Sequence, residues 1–225
     1  MTIFRVISGV VIATLLGGII FDLYRRGWGW HGVMQFVGDQ ARIVTHVWRE
    51  RRNLDAGSAL DNFRRIAFGF SAALFALLAL TGFIQVLFFG EHLSGLLLII
   101  HVTVAPLFAL SLSALALLWA HRLRFDEEDW RYVLAPDYRR RAGWEQRMRL
   151  GLKVGFWTVL VLSLPLIGTI ILELFPIFGT EGEALLARAH GYSALLLLVA
   201  ALMEIHLTIA YVQRLTEHSS KEHAS

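Results

Sequence analysis

"ARAHGYSALLLLVAALMEIHLTIAYV", Ala187–Val212, is apolar at helical length but carries His190, Glu204 and His206. At about 1.5 Å of rise per residue, a stretch this long crosses the roughly 30 Å of a bilayer's hydrocarbon core. Imidazoles and carboxylates are costly there, and such groups mark function by default. The segment therefore raises two questions together: whether the chain spans a membrane, and what these three groups do inside it.

Composition answers the first. Hydrophobic residues make up 56% of the 225 residues, charged residues only 17%, and the mean hydropathy is +0.57. Charge is confined to blocks that separate uncharged runs at Val6–Phe21, Ile66–Gly90, Leu93–Ala120, Val154–Leu172 and Ala189–Met203. This pattern predicts an all-α integral membrane protein rather than a large soluble core. The first run is short, and Met1–Phe4 lengthens it past Arg5; no A-x-A-like cleavage site follows, so a retained span is expected. The chain then divides into an N-terminal span over 1–24, a basic interfacial segment over 25–63, a four-helix bundle over 64–214 and a tail over 215–225.

Of the 21 Lys and Arg, 17 fall between Arg25 and Arg65 or between Arg122 and Lys153. The opposite ends carry Glu91, Glu173, Glu181 and Glu183, with Arg188 as the one loop base. The positive-inside rule makes the two basic loops cytoplasmic, the N-terminus external and the tail internal. The net charge of +3 therefore speaks of lipid, not nucleic acid. Trp28, Trp30 and Trp48 interleave with arginines, which predicts an interfacial helix within Gly27–Leu60. Pro136 should break the loop "FDEEDWRYVLAPDYRRR", and Pro106 and Pro165 should bend their spans. No repeat with matching motifs is visible in the two halves, which weighs against an inverted-repeat transporter. Cysteine is absent, which excludes c-type haem attachment and cysteine-held clusters within this chain.

Nine histidines remain to be sorted. His218 and His223 belong to the tail, His31 to a polar segment, and His92 to a short outer turn. His101 lies ten residues beyond Glu91 and His190 nine beyond Glu181, on spans that both run inward. Both imidazoles are then expected at one depth, roughly 14 Å below their helix starts. Two imidazoles on different helices at one level are what bis-His ligation of a haem iron needs. Neutral histidines bonded to carbonyls are the plainer alternative. His206 lies sixteen residues past His190, roughly 24 Å deeper, and His121 ends its helix near that level.

The stretch from about Arg64 to Tyr211 resembles the cytochrome b subunits of membrane-bound formate dehydrogenases and nickel–iron hydrogenases. "HVTVAPLFALSLSALALLWAHRLRFDEEDW" is similar to the family's second helix, with His101 at its ligand position. "GLKVGFW" resembles the family's G-Q-K-x-x-F-W through Gly151, Lys153, Phe156 and Trp157, and "HLTIAY" its closing H-[IVM]-Y-M-A, at His206. The resemblance implies a four-helix bundle holding two b-type haems and passing electrons between an iron–sulfur partner and quinone. It implies too a catalytic molybdenum, tungsten or nickel–iron subunit and a bacterial inner membrane. Departures are specific. Phe68 stands where the family's first helix has a ligand histidine, and the last helix spaces its histidines by sixteen rather than fourteen. Arg149 and Leu152 replace an Asn and a Gln of the quinone motif, and the N-terminal span is additional. Sixteen steps turn a helix by about 160°, so His190 and His206 face apart unless a π-bulge intervenes.

The expected function is electron relay by a subunit that is not an enzyme by itself, with haem b ligated by His101 and His190. A second haem would use His206 with His121, or with His46. Otherwise Glu204, His206 and Lys153, with Gly151 by resemblance, border a cytoplasmic-side quinone pocket in which His206 or Glu204 moves the proton; Glu204 alternatively pairs with a neighbouring helix. A haem-free anchor and a proton-coupled transporter are the competing classes.

Overall fold

A computed structural model of the chain describes residues 2–25, 56–90, 93–175 and 177–222. The expected interfacial helix with Trp28, Trp30 and Trp48, and His31, His46, His92 and His223, lie outside the described residues. All regular structure among the described residues is helical: α1 (Thr2–Arg25), α2 (Ala56–Ile84) continued by a π turn (Gln85–Phe89), α3 (Gly95–Trp119), α4 (Glu127–Leu134), α5 (Pro136–Arg141), α6 (Trp144–Glu173) and α7 (Gly179–Glu222). Five segments are long and apolar enough to cross a membrane, at Thr2–Arg25, Leu60–Phe89, Gly95–Trp119, Trp144–Glu173 and Gly179–Tyr211. Each contains or overlaps one uncharged run of the sequence.

The surfaces of these helices are those of a lipid-facing protein. Leu110 and Leu117 on α3 and Leu164 on α6 are 69%, 85% and 67% exposed. Several of the buried positions, by contrast, are small and polar, among them Ser71, Thr81 and Ser111 on α2 and α3, and Ser163 and Thr169 on α6. Hydrocarbon outside offers no hydrophobic reward for burying leucine, so close approach and internal hydrogen bonds hold such helices together.

The chain forms two compact units, residues 1–120 and 121–225. In the first, α2 and α3 form an antiparallel hairpin whose pairings keep one register. Arg64 meets Leu118, Ser71 meets Ser111, Phe75 meets Phe108, and Thr81 meets His101. Helix α2 starts at Ala56, ahead of the uncharged run, because its first charges find partners. Arg64 pairs with Asp61 at 2.9 Å, and its Nε donates to the Leu118 carbonyl at 3.0 Å, one of the orphan acceptors at the end of α3.

Arg5, the one charge near the start of α1, is placed similarly. Its Nε donates to the Leu87 carbonyl at 2.9 Å and its Nη2 to that of Phe88 at 3.4 Å, at the end of the π turn. Ser8, fully buried, and Gly9, whose Cα faces the Leu87 side chain, continue that contact. Gly90 closes the turn at φ +69°, and a Cβ there would stand 2.6 Å from Arg5 Nη1. The left-handed backbone favours glycine at this position, and the guanidinium lies in the space a side chain would enter.

In the second unit α6 and α7 form another antiparallel hairpin, pairing Trp144 with Tyr211, Gly151 with Leu207, Gly155 with Glu204, and Thr169 with His190. Before it, Asp126 and Asp129 make a reciprocal capping box that starts α4. The expected break falls at Pro136: α4 ends at Leu134, Ala135 is extended, and Pro136 opens α5. Pro106 and Pro165 sit inside continuous helices.

Candidate functional site

His101 and His190 occupy equivalent places in their own hairpins. His101 Nδ1 lies 2.8 Å from Thr81 Oγ1 on the preceding helix, and His190 Nδ1 lies 3.2 Å from Thr169 Oγ1 on its preceding helix. The hydroxyl protons are already committed within their helices. Thr81 Oγ1 donates to the carbonyls of Leu77 (2.9 Å) and Leu78 (3.1 Å), and Thr169 Oγ1 to that of Leu166 at 2.8 Å. Such back-bonding is the habit of threonine in a helix, where no water competes. With the hydroxyl proton spent on the helix carbonyl, the oxygen accepts from the ring, and the histidine in that arrangement is the tautomer protonated at Nδ1. A neutral imidazole with its proton on Nδ1 carries its lone pair on Nε2. This is the tautomer that a metal-ligating histidine needs, with the second nitrogen held by an oxygen.

Glycine sharpens the first of these places. A Cβ on Gly82 would stand 3.4 Å from His101 Cε1, so the ring lies in close contact with the backbone beside Thr81. Sequence reading missed both threonines. The available signal is a Thr-Gly or Gly-Thr pair, Thr81–Gly82 and Gly168–Thr169, followed twenty or twenty-one residues later by histidine. It is an internal likeness between the hairpins that periodicity alone does not reveal.

His206 is half-buried on α7, and His121 is exposed in the turn after α3. Helix α7 is continuous α-helix from Gly179 to Glu222, and the π turn lies at the end of α2 instead. No register change therefore brings His206 onto the face of His190. Phe68, at the family's first-helix ligand position, is exposed on α2. Among the described residues no group of three or more metal-ligating side chains is gathered, whereas a haem iron asks for only two imidazoles.

Gly151, Lys153 and Glu204 divide between two contacts. Gly151 faces the Leu207 side chain at 3.6 Å, and one turn on, the carboxyl of Glu204 lies against Gly155 in the space a Cβ would take. Gly151-x-x-x-Gly155 is thus the close-packed seam of this hairpin, a spacing the sequence displays and whose second glycine was not singled out. Glu204 Oε2 is buried there with no hydrogen-bond partner. Lys153, 7% exposed, belongs to another face. Its ammonium donates to Asp126 at 2.8 Å and to the buried Asp129. The hydrogen bond from Lys153, then that from the Asp129 backbone N–H, hold the Asp126 carboxyl down at about 2.

No family model, no curated protein and no solved structure matches the chain.

Two outcomes follow from the contacts that α6 makes with the start of α4 and with α7. Because the Asp126 carboxyl is depressed, its contribution to stability is complete above pH ~4 and lost as pH falls through about 2. Unfolding midpoints in detergent should fall across that window for the native chain and stay flatter for Asp126→Asn, which keeps the cap but not the charge. Gly155→Ala should destabilise the chain by about 1–3 kcal/mol by overpacking against Glu204. Glu204→Ala in the same chain should recover most of that loss; strictly additive effects would show that the two positions do not touch.

Proposed function

We propose that the chain is a b-type cytochrome membrane subunit that relays electrons between an iron–sulfur partner and the quinone pool, with His101 and His190 as haem ligands. The observation that carries the reading is the pair of Nδ1–H···Oγ1 bonds, Thr81 to His101 and Thr169 to His190. With Nδ1 against an oxygen, Nε2 is the nitrogen each imidazole would offer to iron. Equal depth of the two histidines on their spans and the motifs shared with cytochrome b subunits support the same assignment.

Haem b, when bound, supplies a one-electron ferric–ferrous couple. The chain's own residues do the rest. The threonines fix ring orientation and proton position, so little reorganisation accompanies ligation. By donating Nδ1–H to oxygen, each ring becomes a stronger donor at Nε2, which favours the oxidised state and lowers the potential.

The resemblance further implies a catalytic molybdenum, tungsten or nickel–iron subunit, a bacterial inner membrane and an external N-terminus. Glu204, buried against Gly155, is the group on this hairpin suited to carry the proton that accompanies quinone reduction. Lys153 is engaged by two aspartates, so its part in such a pocket would be to hold α4 in place. A second haem would draw on His206.

His101→Ala and His190→Ala should each abolish the b-type absorbance of the purified chain; full absorbance in both would remove the assignment. Thr81→Val and Thr169→Val should keep haem but raise its midpoint potential, while Thr81→Ser keeps the native value. A wild-type chain without a Soret band would favour a haem-free anchor instead.

A further inference from the structure

Helices α4 and α5 hang beside the first turns of α6, and their hydrogen bonds fix the level at which they lie. Glu128 O accepts from Gln146 Nε2 at 3.4 Å, and Tyr138 OH also meets Gln146, one turn into α6. Asp126 and Asp129 hold Lys153, and Leu123 O accepts from Trp157 Nε1 at 2.9 Å. Lys153 is the last charge before the uncharged run Val154–Leu172. The connection therefore begins just inside the apolar part of α6, and α4 sits at its polar edge, where hydrocarbon gives way to headgroups.

One face of α4 is spent on α6 and the other is open. Asp129 is buried towards Lys153, whereas Trp130, Val133 and Leu134 are 54%, 49% and 75% exposed. Their i, i+3, i+4 spacing makes one apolar stripe. Trp130 packs its ring 5.8 Å from that of Phe125, which extends the stripe towards α6. Charge on the connection is sorted to match. Lys153 neutralises Asp126 and Asp129, and Arg131 pairs with Glu127 at 2.7 Å. Glu128 and Asp137 are left against the exposed Arg139, Arg140 and Arg141 of α5.

We propose that α4 and α5 form a membrane-surface anchor: the Trp130–Val133–Leu134 stripe enters the lipid interface, and Arg139, Arg140 and Arg141 contact lipid phosphates. A tryptophan at headgroup level with apolar neighbours below it, and arginines at the phosphate layer, is the arrangement such helices use. Water on that stripe would leave three large apolar side chains exposed beside a bilayer that can take them. The Lys153–Asp129 contact is what sets the depth. The anchor does not depend on haem.

The chain's lack of cysteine gives a clean test. Full-length Val133→Cys, Leu134→Cys and Glu127→Cys proteins, each with a single nitroxide label, are reconstituted in phosphatidylethanolamine–phosphatidylglycerol bilayers. Collision rates with oxygen and with a water-soluble nickel chelate are then compared. Labels at 133 and 134 should meet oxygen more than nickel, and the label at 127 should show the reverse. Replacing Arg139, Arg140 and Arg141 together with glutamine should move the 133 label towards the nickel-accessible side. Nickel access at 133 and 134 equal to that at 127 would overturn the proposal, because the stripe would lie in water. Shielding of 133 and 134 from both reagents would overturn it too, since protein rather than lipid would then cover the stripe.

Discussion

A polar group inside hydrocarbon gains most from a partner within the protein, and that pressure places many of the polar side chains among the described residues. Arg5 and Arg64 are placed where helix ends leave carbonyls without donors. Ser71 and Ser111 bond to each other at 2.8 Å between α2 and α3. Lys153 lies under two aspartates at the edge of its span. Thr81 and Thr169 use their protons on their own helices and their lone pairs on histidines. The last case carries the proposed function: a threonine oxygen at Nδ1 leaves Nε2 as the nitrogen each imidazole would offer to iron.

The spans were legible because uncharged runs of sufficient length have few other uses. All five recur as helices, including Thr2–Arg25, whose run of sixteen uncharged residues is the shortest but one. That His101 and His190 fall within spans was legible as well, and in its own hairpin each meets a threonine of the preceding helix.

Other features resisted reading because they depend on which faces meet. Arg5 looked like an interruption of a short span, yet it caps a π turn more than eighty residues away. Gly155 carries no chemistry of its own, and its value appears only when Glu204 is found lying on it. Lys153 matched a quinone motif, but its aspartate partners come from a loop helix whose docking no periodicity foretells. The threonine–histidine likeness between the hairpins escaped for the same reason: twenty-residue spacings become meaningful only once a helix turns back on itself. Helix α7 offers the converse case, where sequence geometry sufficed. A sixteen-residue separation sets His206 about 160° from His190, and the helix runs on without a π-bulge to correct it.

Haem content is the most direct test of the proposal that His101 and His190 ligate a b-type haem. The chain, purified in mild detergent after expression with haem available, is assayed by pyridine haemochrome and low-temperature electron paramagnetic resonance. The account predicts one b-type haem per chain with a low-spin, bis-imidazole signal. A chain that stays folded and yet binds no haem would contradict it.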